Sequence, residues 1–140
     1  MSAVKTHKIV VATGGQSDAH DITEAVAGAI RESSLSAGIA TVFVVGSTAG
    51  ITTIEFEPGA IEDLNGVFER LAPRNGEYRH HLRWGDDNGS SHVRAALLGP
   101  SLTVPFSDER LALGTWQQIM LLEFDTRPRR REIVVQLVGE

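Results

Sequence analysis

Residues 102–138 read L-T-V-P-F-S-D-E-R-L-A-L-G-T-W-Q-Q-I-M-L-L-E-F-D-T-R-P-R-R-R-E-I-V-V-Q-L-V. β-branched and apolar runs alternate here with turn residues, the signature of consecutive strands. Residues 102–106 form one strand and Ser107-Asp108-Glu109 a turn. Residues 110–113 pair back, and Gly114 breaks that run. Residues 116–125 make a long strand, Thr126-Arg127-Pro128 turns, and 130–138 complete the set. Tight turns join antiparallel neighbours, so this half of the chain predicts antiparallel sheet.

Working back towards the N-terminus, S-S-H-V-R-A-A-L-L over 90–98 suits a short serine-capped helix ended by Gly99-Pro100. That puts His92 in its first turn. Ile61, Leu64, Val67, Phe68 and Leu71 recur on one helical stripe, stopped by Pro73 and Gly76. Residues 39–45 (I-A-T-V-F-V-V) read as a strand buried on both faces, and 51–55 as another. Ile22, Val26, Ala29 and Ile30 mark a first helix that Asp21 or Thr23 can cap, preceded by a strand over 6–13. The expected fold is α+β: one domain over 1–140, an antiparallel β-sheet sandwich with two to three helices set to one side.

The 140 residues, 41% hydrophobic and 22% charged, suit one soluble domain. With no cysteine, disulfides, a thiolate nucleophile and cysteine-bound zinc are excluded. No apolar run has the length of a membrane helix, and the N-terminus lacks the pattern of a signal peptide. The expected location is cytoplasmic, with no membrane partner. A net charge of −5 opposes nucleic-acid binding and leaves room for a small anionic substrate in a local basic pocket.

Chemistry concentrates in 78–92, Y-R-H-H-L-R-W-G-D-D-N-G-S-S-H, which holds three of the five histidines. Imidazole titrates near neutrality and is the commonest metal ligand. His80 and His92 flank a glycine-containing loop that can fold back and converge them. Asp86, Asp87 or Asn88 can add an oxygen ligand or an outer hydrogen bond. The competing reading is a polar surface loop with stray histidines. If 80 and 81 lie on a strand their side chains point apart, so only one belongs to a site.

Four further features carry two readings each. Glu55 is a general acid or base, or a solvated strand end. Gly46-Ser47-Thr48-Ala49-Gly50 is an anion-binding nest with hydroxyl help, or a bulge packed closely on a neighbouring subunit. Arg127, Arg129, Arg130 and Arg131 are a solvated charged edge from which at most one reaches a phosphate. Trp116 reads as core, with Gln117 able to orient a substrate.

Four stretches together carry a resemblance. They are Asp21-Ile22-Thr23; Ser47-Thr48-Ala49-Gly50-Ile51-Thr52; Tyr78-Arg79-His80 with Asn88-Gly89-Ser90-Ser91-His92; and Leu111-Ala112-Leu113-Gly114-Thr115-Trp116-Gln117 with Glu123-Phe124-Asp125 and Arg127-Pro128-Arg129. In these the chain resembles the YjbQ family, whose members are named secondary thiamine-phosphate synthase enzymes. The resemblance implies a compact α+β homotrimer with a histidine-lined cleft near the subunit boundary, able to hold a divalent metal such as zinc or magnesium. It also implies a weak thiamine-phosphate synthase-like transfer, joining a pyrimidine pyrophosphate to a thiazole phosphate with release of pyrophosphate.

Residues matching the family pattern are Glu55, His80, Asn88, His92, Ser101 and Gln117. Two positions depart from it. Gly46 stands where many members have histidine, and Ser90 where some do. The expected site is therefore His80, His92, Glu55 and Asn88 as catalytic groups. Ser47, Thr48, Ser101, Gln117 and Arg129 would hold a small phosphorylated metabolite, and His80 and His92 any metal. The alternative is a non-enzymatic anion- or metal-binding or assembly protein that has lost part of this site.

Overall fold

Apolar alternation along the strands sorts the chain into two antiparallel sheets. The computed structural model describes residues 1–140, every side chain but that of Trp84 included. In order the elements are β1 (Ala3–Ala12), β2 (Ala19–Asp21), α1 (Thr23–Ser33), β3 (Gly38–Val45), β4 (Ala49–Ile54) and α2 (Pro58–Leu71). Then come α3 (Arg79–Trp84), α4 (Gly89–Leu98), β5 (Ser101–Ser107), β6 (Arg110–Leu111), β7 (Gln118–Glu123) and β8 (Arg130–Gly139). One sheet runs β1-β8-β3-β5-β6 and the other β2-β7-β4. The α+β sandwich expected from the sequence is present, with four helices in place of two to three. The added one, α3, falls on R-H-H-L-R-W and stops at Gly85, whose left-handed backbone (φ 66°) closes the turn.

Between the sheets lie Ala40, Val42, Val44, Ile133, Val135 and Leu137 of the larger one, facing Ile51, Ile119 and Leu121. Val26, Ala29 and Ile30 of α1 close this layer. Met120, Leu122 and Phe124 point the other way, onto Phe68 of α2 and Ala95 of α4. The Phe68 and Phe124 rings meet edge to face at 5.0 Å. β7 is thus buried on both faces, which accounts for its unbroken apolar run.

The sequence reading gave β3 that double burial, and the structure assigns it to β7 instead. Only Ala40, Val42 and Val44 of β3 face inward. Ile39, Phe43 and Val45 remain 44%, 42% and 49% exposed on the outer face of the protomer. Trp116, expected in the core, is 69% exposed, because Gly114 and Gln117 form a turn (N–H to O, 3.1 Å) and β7 starts only at Gln118.

Helix starts follow the sequence reading at α1 but not at α4, which begins after Asn88 with no side-chain cap, the hydroxyls of Ser90 and Ser91 lying inside the first turn without a partner. Asp21 Oδ1 accepts from the Thr23 N–H (2.9 Å) and hydroxyl (2.6 Å), and Thr23 Oγ1 accepts from the Ile119 N–H (2.8 Å), tying α1 to β7. The Glu57 carboxylate accepts from the Gly59 and Ala60 N–H groups (2.8 and 2.7 Å) with Pro58 in the first turn. Among the described residues no helix is long and apolar enough to cross a membrane.

Two glycines behave oppositely under the same substitution. A Cβ on Gly50 would lie 2.6 Å from Leu98 Cδ2 and 3.0 Å from the Gly99 carbonyl oxygen, so β4 packs on α4 through a glycine. A Cβ on Gly66, inside α2, meets nothing within 4 Å. Gly66→Ala is expected to stabilise by roughly 0.5–1 kcal/mol. Gly50→Ala is expected to destabilise by about 1–3 kcal/mol through overpacking. Urea unfolding of both variants checks the opposite signs.

Candidate active site

The open end of the sandwich gathers the Gly46–Thr48 turn, the ends of β1 and β7, the start of β8 and the N-terminus of α4. A buried ionic network holds these together. Arg131 donates from Nε to Glu123 Oε1 (2.8 Å) and from Nη2 to Glu123 Oε2, and Nη2 also reaches Thr48 Oγ1 (2.7 Å). The Thr13 hydroxyl donates to Glu123 Oε1 (2.6 Å). Thr48 Oγ1 donates to Asp125 Oδ2 (3.0 Å), which also takes Arg129 Nε (2.8 Å) and Nη2 (2.7 Å). Glu123, Asp125 and Arg131 are buried, and every buried charge has an opposite partner.

The arginine run is therefore not the solvated edge expected: two of its members turn inward because two carboxylates of β7 and its end require them. Burial alone would raise the Asp125 carboxyl. The Thr126 N–H, the Arg129 guanidinium and the Thr48 hydroxyl outweigh it and hold Asp125 below the ordinary carboxylate value.

The histidines sit just outside this network. His80 and His81 lie on α3, not on a strand, so both side chains can face the same body of the protein. His81 Nε2 accepts the Gly89 N–H (3.0 Å), and its ring meets Tyr78 edge-on at 5.5 Å. Gly89 is required there, since a Cβ would lie 2.4 Å from Tyr78 Cβ. His81, expected to point away, staples α3 to the start of α4.

His80 Nε2 is 3.1 Å from Asp86 Oδ1 and 3.0 Å from the Asn88 amide. With its nitrogen turned to Asp86, that amide donates to Oδ1 at 3.0 Å and Oδ2 at 3.3 Å. The rings of His80 and His92 approach to 4.5 Å between centroids, tilted by 52°. Turned the other way, the same amide donates to Asp125 Oδ1 at 3.5 Å in place of Asp86. This is an imidazole oriented by a carboxylate, beside a second imidazole: groups suited to moving a proton.

Beside His92 runs a cleft of about 270 Å³ lined by Gly46, Ser47, Ala49, Ala95, Ala96 and Pro100. The structure thus brings together His80, His92, Asn88, Ser47, Thr48 and Arg129. It does not bring Glu55, Gln117 or Ser101 to them. Glu55 is exposed beyond the far end of β4, about 20 Å along the strand from Ala49. Gln117 spans Gly114 N (3.0 Å) and Thr53 Oγ1 (3.2 Å) in another groove, and Ser101 is exposed, paired with Phe43 across β3 and β5.

Glu123 and Asp125 entered the sequence reading only through the resemblance and Arg131 only as part of the charged edge, and none was named for the site. The available signal was two carboxylates closing an otherwise apolar strand, close in sequence to surplus arginines. Among the described residues no group of three or more His, Cys, Asp or Glu side chains is placed to hold a metal ion. Two imidazoles are one ligand short of the three that catalytic zinc sites commonly use, and His80 Nε2 is already engaged.

Comparison with known proteins places these features in a lineage. The family profile described as UPF0047 protein YjbQ-like matches residues 7–140. The chain is similar to UPF0047 protein MJ1081 of Methanocaldococcus jannaschii, 36% identical over 95% of this chain and 94% of that one. A UPF0047 protein of Methanothermobacter thermautotrophicus is 36% identical over 98% and 94% of the two chains. The crystal structure of a YbjQ-like protein of unknown function from Sulfolobus solfataricus superposes with a TM-score of 0.92 at 32% identity, covering 100% of both chains.

The Asp125 carboxyl has a folded-state value below the 3.8 it takes when unperturbed. Its stabilising contribution is whole above that figure and is lost as pH falls through the folded-state value. Asp125→Asn should therefore lower the melting temperature most near neutrality. The gap to the parent should narrow between about pH 5 and about pH 3, as thermal melts across that range would show.

Proposed function

From the premise that the chain belongs to the UPF0047 YjbQ-like family, we propose that it binds and acts on a small phosphorylated metabolite at the His80–His92 end of the sandwich. The observation that carries this reading is the Asp86–His80 pair set against His92 at 4.5 Å. Thiamine-phosphate synthase-like transfer is the reaction to assay. In it a C–O bond to pyrophosphate breaks, that bond's electron pair leaves with the pyrophosphate, and the thiazole nitrogen forms the new C–N bond.

The protein's part in that reaction is placement and charge. His92, beside Ser47 in the cleft, faces the leaving oxyanion, and Asp86 and Asn88 fix the imidazole of His80. A second reading has a divalent ion, zinc or magnesium, shared by His80 and His92 with the ligand completing its shell; the close approach of the two rings favours it.

The outer face of the larger sheet supports a homotrimer. Val4, Val138 and Ile39 form one cross-strand row, and Val134 and Phe43 pair in another. An apolar sheet face of this kind suits a second copy of the chain.

With a pyrimidine pyrophosphate and a thiazole phosphate, pyrophosphate release should fall by about a hundredfold or more in His80→Ala and in His92→Ala. Undiminished rates in both variants sink the catalytic reading. Saturable phosphate binding without turnover leaves the non-enzymatic alternative, and activity that depends on added zinc or magnesium restores the metal. Light scattering at micromolar concentration should give three times the chain mass, and Phe43→Glu should release monomer.

A further inference from the structure

Helix α2 carries two faces. Ile61, Leu64 and Phe68 pack towards Met120, Leu122 and Ala95. Glu62, Asn65, Gly66 and Glu69, spaced i, i+3, i+4 and i+7, form a second stripe. All four line a cavity of about 790 Å³, a volume typical of small-molecule sites. Its other walls include Arg74 beyond the helix, Arg94 of α4 and Asp87 of the α3–α4 connection. No residue lines both this cavity and the His92 cleft, so the two are separate places.

Gly66 sits in the middle of the helical wall. Glycine inside a helix is less stable than alanine. Neither its helical backbone nor its surroundings require it, since a Cβ there meets nothing within 4 Å. What the missing side chain does is keep the cavity clear. The charges around that space are unevenly used. Arg94 is buried, donating from Nε to the Ala72 carbonyl (2.9 Å) and from Nη2 to Glu69 Oε2 (2.6 Å), so Arg94 and Glu69 balance one another. Arg74 donates to the Ser17 hydroxyl, a neutral partner, and makes no ion pair among the described residues. Glu62 and Asp87 make neither a hydrogen bond nor an ion pair among the described residues. One guanidinium and two carboxylates are left to face the same cavity.

We propose that this cavity binds a basic amino acid, a small molecule with one carboxylate and two ammonium groups: Arg74 takes the carboxylate, Glu62 and Asp87 take the ammonium groups, and Gly66 leaves room for the carbon chain between them. The ligand's charges are the complement of the three free ones on the walls. Among the described residues no aromatic side chain lines the cavity, so it offers no stacking platform for a base or a sugar ring. Nor do the carboxylates gather as metal ligands do. The site is independent of the chemistry proposed for His80 and His92. Its walls are charged and open to solvent, so binding should weaken as salt is raised.

Free L-lysine is the probe, titrated into the full isotope-labelled chain and followed by backbone amide shifts. The shifts should saturate and centre on residues 62–69 and 87. Norleucine, which lacks the second ammonium, and cadaverine, which lacks the carboxylate, should each bind about tenfold more weakly, the loss of one charge-assisted contact. Asp87→Asn and Glu62→Gln should each weaken lysine by a similar factor. Gly66→Leu fills the cavity from a position with free space, so it should melt no lower than the parent yet lose lysine binding. Shifts that never saturate, or that centre on 46–49 and 92, overturn the proposal. So does a Gly66→Leu variant that binds lysine as the parent does. Cadaverine binding as tightly as lysine removes the role of Arg74 and with it the amino-acid reading.

Discussion

The ion pair between Glu123 and Arg131 is the contact on which the rest of the molecule depends. It joins the last residue of β7, in the small sheet, to the second residue of β8, in the large one. Removing two charges from water is costly, and only full hydrogen bonding offsets it. Here the Thr13 hydroxyl and the Asp125 N–H complete the carboxylate, and Thr48 takes the second Nη2 hydrogen of the guanidinium. Each of those partners comes from a different segment. The pair therefore fixes the relative position of the β1 end, the β3–β4 turn and the β7–β8 turn at once. An apolar contact in the same place would hold the sheets together without fixing the direction of Asp125.

That dependence separates two kinds of order in the protein. The core between the sheets is set by side-chain alternation and tolerates conservative exchange of one aliphatic group for another. The open end is set by direction: donors and acceptors at the ends of strands and in the turns between them must meet at particular angles.

Much of the fold was legible because period and turn chemistry are local. The strands of the C-terminal half, the Asp21–Thr23 helix start and Ile61, Leu64 and Phe68 of the α2 stripe appear where the sequence puts them. Of the last four strands, however, only β5 and β6 pair with each other, since β7 joins β2 and β4 in the other sheet, and Val67 and Leu71 are exposed. What failed was a matter of neighbourhood. An apolar run such as I-A-T-V-F-V-V does not say how many of its faces another layer covers, and β3 has only one covered within the protomer. R-H-H-L-R-W carries too short a pattern to separate helix from strand, and so the side taken by His81 was misread. The site was half legible. Histidines and small residues announce themselves by type, so the His80, Asn88 and His92 grouping could be anticipated. Glu123, Asp125 and Arg131 could not, because their meaning lies in a pairing between β7 and β8 that no spacing within either strand reveals.

The staple of His81 on Gly89 bears on how this site changes over generations. It clamps α3 to α4 across the connection at 85–88, and closure entropy grows only slowly with the length of such a connection. The clamp fixes both ends, so an exchange at Asp87 leaves His80 and His92 together, whereas Gly85, Asp86 and Asn88 in the same connection are tied to the helix end and to His80. Variation can thus enter this connection at a single position while the paired imidazoles and the buried ion pair beneath them stay in place.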